Sequence, residues 1–356
     1  MFAIEIGENE KQQRLDRFLR KYLENAPLSR IYKIVRKDVK VNGKRMKAEY
    51  ILEEGDVIQL YLPDEEIAEL RRVRKTVRAK RTFRICYEDE NILLAEKPAG
   101  LLTHGDRNEK RNHLANQVID YLIGKEEFKP REEKTFTPAS VNRLDRNTSG
   151  LVLFGKNYQA LKDFNEMMRA RDSIHKRYLA IVCGKIPERT VLKGYMRKNA
   201  DRNRVSVDRL SSGESIGKTG NAAGGKTVIE KAAAEKAAEE KYMKTIASPL
   251  AYGELRGHPC TLASVEISTG RTHQIRAQLA DAGWPIAGDP KYGDPKFNRL
   301  MEAFGVHRQM LHARELRMER MMDAYSYLNG RSFTARIPGD FQRAADEIFG
   351  GLPDEA

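Results

Sequence analysis

Residues 140–155, SVNRLDRNTSGLVLFG, place a carboxylate directly before an apolar strand. Asp145 lies between Arg143 and Arg146, and opposite charges nearby favour the ionised form of a carboxylate. After a turn, the apolar run 151–154 predicts a short strand that holds Asp145 at the edge of a sheet. Taken alone, the pattern is more typical of a surface ion pair in front of a strand.

The tetrapeptide Arg-Leu-Asp-Arg occurs a second time, at residues 14–17. There the apolar residues recur at helical spacing, so that Asp16 is expected to be a solvated helix residue. The tetrapeptide by itself therefore identifies no site. The strand that follows is what distinguishes Asp145 from Asp16.

The formal net charge of +13 and the pI of about 9.5 predict an anionic partner. Nucleic acid is the first candidate, although a ribosome-associated or membrane-surface protein would carry a similar charge. No apolar run approaches the roughly 18 residues of a membrane span, and the N-terminus lacks a signal-peptide layout, so a cytoplasmic protein is expected. Cys86, Cys183 and Cys260 are far apart and odd in number, which suits a reducing compartment and argues against a disulfide framework or a zinc site. The seven histidines show no paired ligand spacing, so no metal is expected.

Residues 1–62 have the pattern of a small separate domain. Helices are predicted over residues 14 to 22 or 23 and over 30–37, the second capped by Ser29, and a hairpin follows. The basic face could be a solvated surface, but its clustering on the second helix and hairpin favours contact with RNA. The candidate RNA-binding residues are Arg14, Arg17, Arg30, Lys33, Arg36, Lys37 and Lys44.

Residues 63–83 are dense in charge and are interpreted as a flexible linker. From residue 84 to 350, strands alternate with amphipathic helices, which indicates an α+β domain. The expected helices are 112–123, 158–171 and 272–280, and the expected strands include 92–96, 262–267 and 311–316.

Residues 211–243 form a low-complexity insertion that ends in an Ala/Glu/Lys-rich stretch. Within it, residues 220–227 (GNAAGGKT) match the phosphate-binding pattern G-x-x-x-x-G-K-[ST]. A functional phosphate-binding loop follows a buried strand, and no apolar run precedes these glycines. No nucleotide cofactor is therefore expected.

The first 60 residues resemble an S4 RNA-binding domain (αL-type) through RLDRFL, LSRIYKIVRK, VKVNGKRMK and LEEGDVI, in that order. Four later blocks resemble the RluA/RluC group of pseudouridine synthases. They are EKPAGLLTH (96–104), VNRLDRNTSGLVLFGKN (141–157), HKRYLAIVCGK (175–185) and STGRTHQIRAQLADAGWPIAGDPKYGD (268–294). The resemblance implies a mixed, mainly antiparallel sheet with flanking helices, no cofactor, and conversion of uridine to pseudouridine in RNA.

Carried over by motif position, the resemblance implies that Asp145 is the catalytic carboxylate and that Arg276 forms its ion pair. Tyr178 would stack beside the flipped base, and Arg143 would enter the RNA stack that the base leaves. Arg271 and His273 are expected to contact RNA, with helix capping as the alternative for His273.

Asn142 replaces a histidine usual in this group, and Glu96 replaces an Asn or Asp, at positions that do not carry the chemistry. The likeness is greatest to RluC-type enzymes, which implies modification of 23S ribosomal RNA. A monomer is expected. A tRNA pseudouridine synthase of the same group and a non-catalytic RNA-binding assembly factor are the alternatives.

Overall fold

The computed structural model describes residues 1–71, 79–130, 132–199, 204–209 and 242–354. The glycine-rich motif at 220–227 lies outside these ranges, as does almost all of the predicted insertion at 211–243. Among the described residues, no helix has both the length and the apolar character needed to cross a membrane.

The N-terminal unit is a small three-stranded sheet with helices packed on it. The central strand is β3, with β1 and β2 antiparallel on either side. Ser29 does not cap the second helix, because that helix begins at Leu28, two residues before the predicted start, and no side chain caps it. The elements are β1 (Phe2–Glu5), α1 (Leu15–Tyr22), α2 (Leu28–Lys37), β2 (Val39–Val41), β3 (Val57–Leu60) and α3 (Asp64–Leu70).

This unit extends beyond the expected boundary at residue 62. The linker was expected to start at residue 63, but α3 lies there and packs Ile67, which is 3% exposed, into the N-terminal core. Asn25 holds the end of α3 by donating to the carbonyl of Glu69. At the other end of the expected linker, Phe83 is buried in the core of the larger unit. Because apolar side chains at both ends of the expected linker are buried in the two cores, the connection between the units is shorter than residues 63–83.

The larger unit is built on one sheet of eleven strands within the described residues, in the order β10-β9-β11-β12-β8-β13-β7-β5-β4, with β6 beside β7 and β14 beside β13. The β13–β7 pair is parallel and the other pairs are antiparallel. The strands are β4 (Arg84–Glu88), β5 (Ile92–Lys97), β6 (Ala139–Ser140), β7 (Ser149–Gly155), β8 (Ile174–Cys183), β9 (Thr190–Asn199), β10 (Arg204–Arg209), β11 (Tyr242–Leu255), β12 (His258–Ile267), β13 (Leu311–Met318) and β14 (Ser332–Thr334).

Helices cover both faces of this sheet, because alternate residues of its central strands point to opposite sides. In β7, Val152 and Phe154 join the core beneath α4, whereas Leu151 and Leu153 join the core beneath α5. The expected α+β architecture with a mainly antiparallel sheet is confirmed. The helices are α4 (Leu114–Gly124), α5 (Tyr158–Ala170), α6 (Gln274–Asp281), α7 (Pro295–Glu302) and α8 (Gly339–Phe349), with a 3₁₀ helix at Asp323–Leu328.

Strand β7 begins at Ser149, two residues earlier than the sequence predicted. The reason is its parallel pairing with β13, which aligns Gly150 with Ala313. Gly150 has φ +117°, and a Cβ there would lie 2.1 Å from the carbonyl oxygen of Ala313. Only glycine permits this close approach. The approach fixes β13 beside Ser149 and Gly150, the two residues that follow the Asp145 loop.

The two units are in contact through the loop before α1. Asn9 donates to the carboxylate of Glu133 at 2.8 Å and accepts from the backbone N–H of Tyr158, the first residue of α5, at 3.1 Å. Gln13 donates to the hydroxyl of Thr135 in a buried bond, and the ammonium of Lys21 lies 5.4 Å from the centre of the Tyr158 ring. These polar contacts set the position of the N-terminal unit on the sheet unit.

Candidate active site

The loop that carries Asp145 lies between β6 and β7 and is anchored on both sides of this residue. The hydroxyl of Thr103 accepts from the N–H of Leu144 and donates to the carbonyl of the same residue, at 3.1 and 2.9 Å. Arg308 donates to the carbonyl of Asn147, and the amide of Gln309 donates to the hydroxyl of Thr148. The backbone of the loop is therefore fixed before any substrate binds, as a catalytic group requires.

Lys97 provides a further anchor from beneath the loop. Its ammonium donates to the carbonyls of Pro98, Leu101 and Arg146, at 2.9, 2.7 and 3.0 Å. Burial lowers the pKa of Lys97 to about 7, and the charge of Asp145 acts in the opposite direction. Three carbonyls match the three donors of an ammonium group, so this side chain ties the Lys-Pro turn to the Asp145 loop.

Asn142, the departure from the family pattern, has a structural place here. Its amide nitrogen donates to the carbonyl of Leu151, and its amide oxygen accepts from the N–H of Leu153. The side chain thus ties the start of the loop to β7.

The ion-pair partner of Asp145 is Arg276, from α6. Nη1 of Arg276 donates to Oδ2 of Asp145 at 2.9 Å, while Nε and Nη2 bind the two oxygens of Asp289 at 2.7 and 2.8 Å. Burial opposes the charge of Arg276, but the bonds with Asp289 and Asp145 raise its pKa above the ordinary value. The three groups together carry one net negative charge, which leaves Asp145 oriented without being fully neutralised.

The cations on either side of Asp145 in the sequence do not provide this pairing. Arg143 and Arg146 both have exposed side chains. The expected local charge pair is therefore replaced by a contact between residues 131 positions apart. The exposed guanidinium groups remain available at the rim of the cleft.

Two lobes of one cleft meet at Asp145. The first is narrow and is lined by Tyr178, Arg271 and the apolar side chains of Ile267 and Leu311. The second lobe, of about 330 Å³, extends past His104, Arg146 and Asn147. The residues shared by both lobes are Arg143, Leu144, Asp145, Thr272, His273 and Arg276. The cleft combines positive charge with an apolar wall, which is suited to a nucleotide.

Tyr178 lies on β8, in register with Val265 of β12 and Ala313 of β13. Its side chain is buried at the floor of the first lobe, and burial, with the charge of Asp145, raises its pKa. The phenol therefore keeps its proton at neutral pH. Its ring can stack on a base, and its hydroxyl remains a donor.

His273 and Arg271 also reach this cleft. Nε2 of His273 lies 3.9 Å from Oδ2 of Asp145, and Nε of Arg271 is buried without a hydrogen-bond partner. His273 is the N-cap residue of α6 but makes no side-chain capping bond, so the capping alternative is wrong. A cleft with an unpaired buried guanidinium N–H is suited to an oxygen-rich ligand.

The candidate residues of the N-terminal unit do not line either lobe of this cleft. Arg14 binds the carboxylate of Asp16, and Arg30 binds that of Glu66. Asp16 is thus held in an ion pair and mostly buried, rather than solvated as expected. The exposed members of the set are Arg17, Lys33, Arg36, Lys37 and Lys44.

Sequence reasoning missed Asp289 and Tyr292, which hold the functional side chains. Both lie in the block 268–294, where Asp289 forms a Gly-Asp dipeptide with Gly288 and Tyr292 follows three residues later. The one available signal was that Asp289 is an acidic residue in a turn-forming sequence after Arg276. Sequence spacing alone did not show that Arg276 is its partner. Among the described residues, no group of three or more His, Cys, Asp or Glu side chains could hold a metal ion.

Comparison with known proteins identifies the family of this chain. Residues 91–281 match the family described as RNA pseudouridylate synthase. Two solved human structures, RNA Pseudouridylate Synthase Domain Containing 1 and 4, each superpose with a TM-score of 0.51 at 20% identity. They cover 77% and 73% of this chain and 91% of their own lengths, and they show the fold alone.

Curated relatives are similar over nearly the whole chain. The Ribosomal large subunit pseudouridine synthase C of Yersinia pestis is 33% identical over 322 residues, 89% of this chain and 87% of the relative. The protein of the same name from Escherichia coli (strain K12) is 34% identical over 322 residues, 88% of this chain and 87% of the relative.

The fold and the comparisons define the class of protein as an RNA-modifying isomerase. The chain belongs to the RNA pseudouridylate synthase family, and it therefore converts uridine in RNA to pseudouridine.

Proposed function

We propose that this enzyme forms pseudouridine in 23S ribosomal RNA and that Asp145 is its catalytic carboxylate. The observation that carries the assignment of Asp145 is its ion pair with Arg276, itself held by the buried Asp289 in a positively charged cleft. A carboxylate held in this way is oriented and accessible to a ligand.

The reaction breaks the bond from N1 of uracil to C1′ of the ribose and joins C5 to C1′. The proton that C5 loses is balanced by the proton that N1 gains, so no oxidant or external nucleophile is consumed. Asp145 serves this exchange either by attacking C1′ or by removing the proton at C2′. Both routes need the carboxylate at the ribose, and neither needs a cofactor.

The target base must first leave its stack in the folded RNA, which costs a few kcal/mol. Arg143, exposed at the rim of both lobes, is suited to fill the vacated position. Tyr178 would then stack beside the base in the narrow lobe, and Arg271 with His273 would contact the nucleotide. These contacts would offset the cost of flipping.

The choice of 23S ribosomal RNA rests on the relatives, which are named for the ribosomal large subunit and are matched over 87% of their length. The N-terminal unit would act as an S4-type RNA-binding domain that adds affinity outside the cleft. Its exposed cations at α2 and the following turn are suited to phosphates. We infer that the enzyme works as a cytoplasmic monomer.

The experiment that tests the substrate is a map of pseudouridines in the ribosomal and transfer RNA of a strain that lacks the gene. The expected result is the loss of specific pseudouridines in 23S ribosomal RNA and their return when the gene is restored. Unchanged 23S ribosomal RNA with a missing pseudouridine in transfer RNA would contradict the proposal. Unchanged RNA of both kinds would favour a non-catalytic role.

A further inference from the structure

His273 has a backbone conformation that is uncommon for residues other than glycine. Its φ of 54° and ψ of 21° are in the left-handed region, and such strain is retained where the surroundings impose it. Its ring does not cap α6. Instead, Nδ1 lies 3.0 Å from the hydroxyl of Tyr292, and the ring lines both lobes of the cleft.

The hydroxyl of Tyr292 is the hydrogen-bond partner of Nδ1 of His273. The backbone N–H of Val205 donates to this hydroxyl at 2.8 Å, and a backbone N–H can act only as a donor. The oxygen of Tyr292 therefore accepts from Val205, and its own hydrogen can be donated to Nδ1 of His273. An imidazole that accepts at Nδ1 carries its proton on Nε2.

Tyr292 is itself held firmly. Its backbone N–H donates to Oδ1 of Asp289 at 3.1 Å, and the guanidinium of Arg276 lies 5.2 Å from the centre of its ring. Asp289 thus binds the side chain of Arg276, which contacts Asp145, and the backbone of Tyr292, whose hydroxyl contacts His273.

The surroundings also favour a neutral ring. Burial lowers the pKa of His273, and the charges of Arg276 and Lys291 act in the same direction, whereas Asp145 and Asp289 oppose them. The distance of 3.9 Å from Nε2 to Oδ2 of Asp145 is too long for a hydrogen bond. A bare Nε2 would turn its lone pair toward this carboxylate, so the tautomer with the proton on Nε2, which presents an N–H to the cleft, is favoured.

We propose that His273, oriented by Tyr292, donates its Nε2–H to a ribose oxygen of the target uridine beside Asp145. This role rests on the proposed function, since Asp145 meets C1′ or the proton at C2′ in either route. The 2′-oxygen and the ring oxygen are bonded to those same carbons, so a donor next to Asp145 reaches one of them. A donor that is already in place stabilises changing charge at the sugar without reorganisation.

Two substitutions at His273 separate this role from a structural one. The amide nitrogen of glutamine can occupy the position of Nε2, whereas the shorter asparagine reaches only that of Nδ1. We expect His273→Gln to keep kcat within about threefold and His273→Asn to lose about 100-fold, with KM for RNA unchanged in both. Equal losses in kcat, or losses confined to KM, would overturn the proposal.

Tyr292→Phe tests the orienting residue. We expect a loss of about tenfold in kcat in the wild-type background and no further loss in the His273→Asn background, because the two residues act as one unit. The matched control is Tyr325→Phe, which removes a buried hydroxyl bond to Asp163 away from the cleft and should leave kcat unchanged. Additive effects of the two changes at the cleft would contradict the coupling.

A readout independent of activity is the ¹⁵N NMR spectrum of the full chain with labelled histidine, assigned through His273→Gln. At neutral pH we expect His273 to have a bare Nδ1 and a protonated Nε2. A doubly protonated ring or the opposite tautomer would overturn the proposal even if the enzyme is active. If 23S ribosomal RNA is not the substrate, the kinetic comparison is made on the RNA that the enzyme does modify. A wrong substrate and a wrong role for His273 are therefore distinguishable.

Discussion

Arg276 divides its hydrogen bonds between two carboxylates, two of them to Asp289 and one to Asp145. If Arg276 were paired with Asp145 alone, the two charges would cancel. Because Asp289 is also bound to Arg276, the three groups together keep one negative charge. Asp289 has no exposed surface, so its part is to hold Arg276.

The substitution Asp289→Asn tests whether Asp289 holds Arg276 in place for Asp145. We expect kcat to fall about 100-fold with little change in KM for RNA, because Arg276 loses its fixed orientation toward Asp145. Steady-state kinetics on a 23S fragment measure this. The matched control is Asp294→Asn, in the next Gly-Asp turn, where the carboxylate caps α7 away from the cleft. An equal loss of kcat in both variants would contradict the role of Asp289.

His312 predicts a pH dependence of stability. Burial lowers the pKa of His312 to about 3, with Arg314 and Arg308 adding to the effect, against 6.5 for the free side chain. Between these values the unfolded chain binds a proton that the native state does not, so stability falls as the pH falls, by up to about 1.4 kcal/mol per pH unit.

Replacing His312 with glutamine should therefore make the fall in the free energy of unfolding between pH 6.5 and pH 5 shallower. Urea denaturation at the two pH values measures it. His307→Gln, which changes an exposed histidine, serves as the control and should keep the wild-type slope. An unchanged slope in His312→Gln would refute the buried neutral state.

Among single residues, those with a local signal could be predicted from the sequence, and those held by distant partners could not. Asp145 was distinguished from Asp16 because an apolar run follows it. Its partner Arg276 came from the family resemblance, and the support by Asp289 was missed because burial of a turn carboxylate is set by packing. For the same reason, Arg143 and Arg146 were wrongly expected to be the charge partners of Asp145, whose carboxylate is bound by Arg276.

At the scale of elements, the start of α5 at Tyr158 was predicted correctly, whereas the cap predicted for α2 was wrong. Asn157 accepts from the N–H of Ala160 and caps α5, whereas Ser29 lies inside α2, which starts after Pro27. We expect Asn157→Ala to cost about 1 kcal/mol of stability and Ser29→Ala to stay within about 0.5 kcal/mol. Urea denaturation compares the two variants. A loss of about 1 kcal/mol in Ser29→Ala would show that serine does act as a cap.

For the strands, positions along the chain could be predicted, but the pairing between strands could not. The position of β7 could be predicted because its apolar run is continuous. Its parallel pairing with β13 joins residues such as Ser149 and His312, whose side chains meet at 2.9 Å across 163 positions. No local pattern reports a contact of that separation, so the order of strands in the sheet was beyond sequence reasoning.

At the scale of the whole molecule, the N-terminal unit presents a basic surface while resting on the sheet unit. The sequence predicted its basic face but not which cations are free, since Arg30 is paired with Glu66 and Arg36 is exposed. Removing one phosphate contact lowers the slope of log affinity against log salt by about 0.7 to 0.9.

We therefore expect Arg36→Gln to reduce the salt slope of RNA binding by nearly one unit and Arg30→Gln to leave it almost unchanged. Filter binding over a range of salt concentrations measures both. Equal reductions in the two variants would contradict the assignment of the exposed face of α2 as the contact surface.

The central claim, that Asp145 carries the chemistry, is tested most directly by one substitution. Asp145→Asn keeps the shape of the side chain but removes the charge that either route requires. Pseudouridine formation on a transcribed 23S fragment should fall below detection, with RNA binding retained. Turnover comparable to that of the wild type would contradict the account.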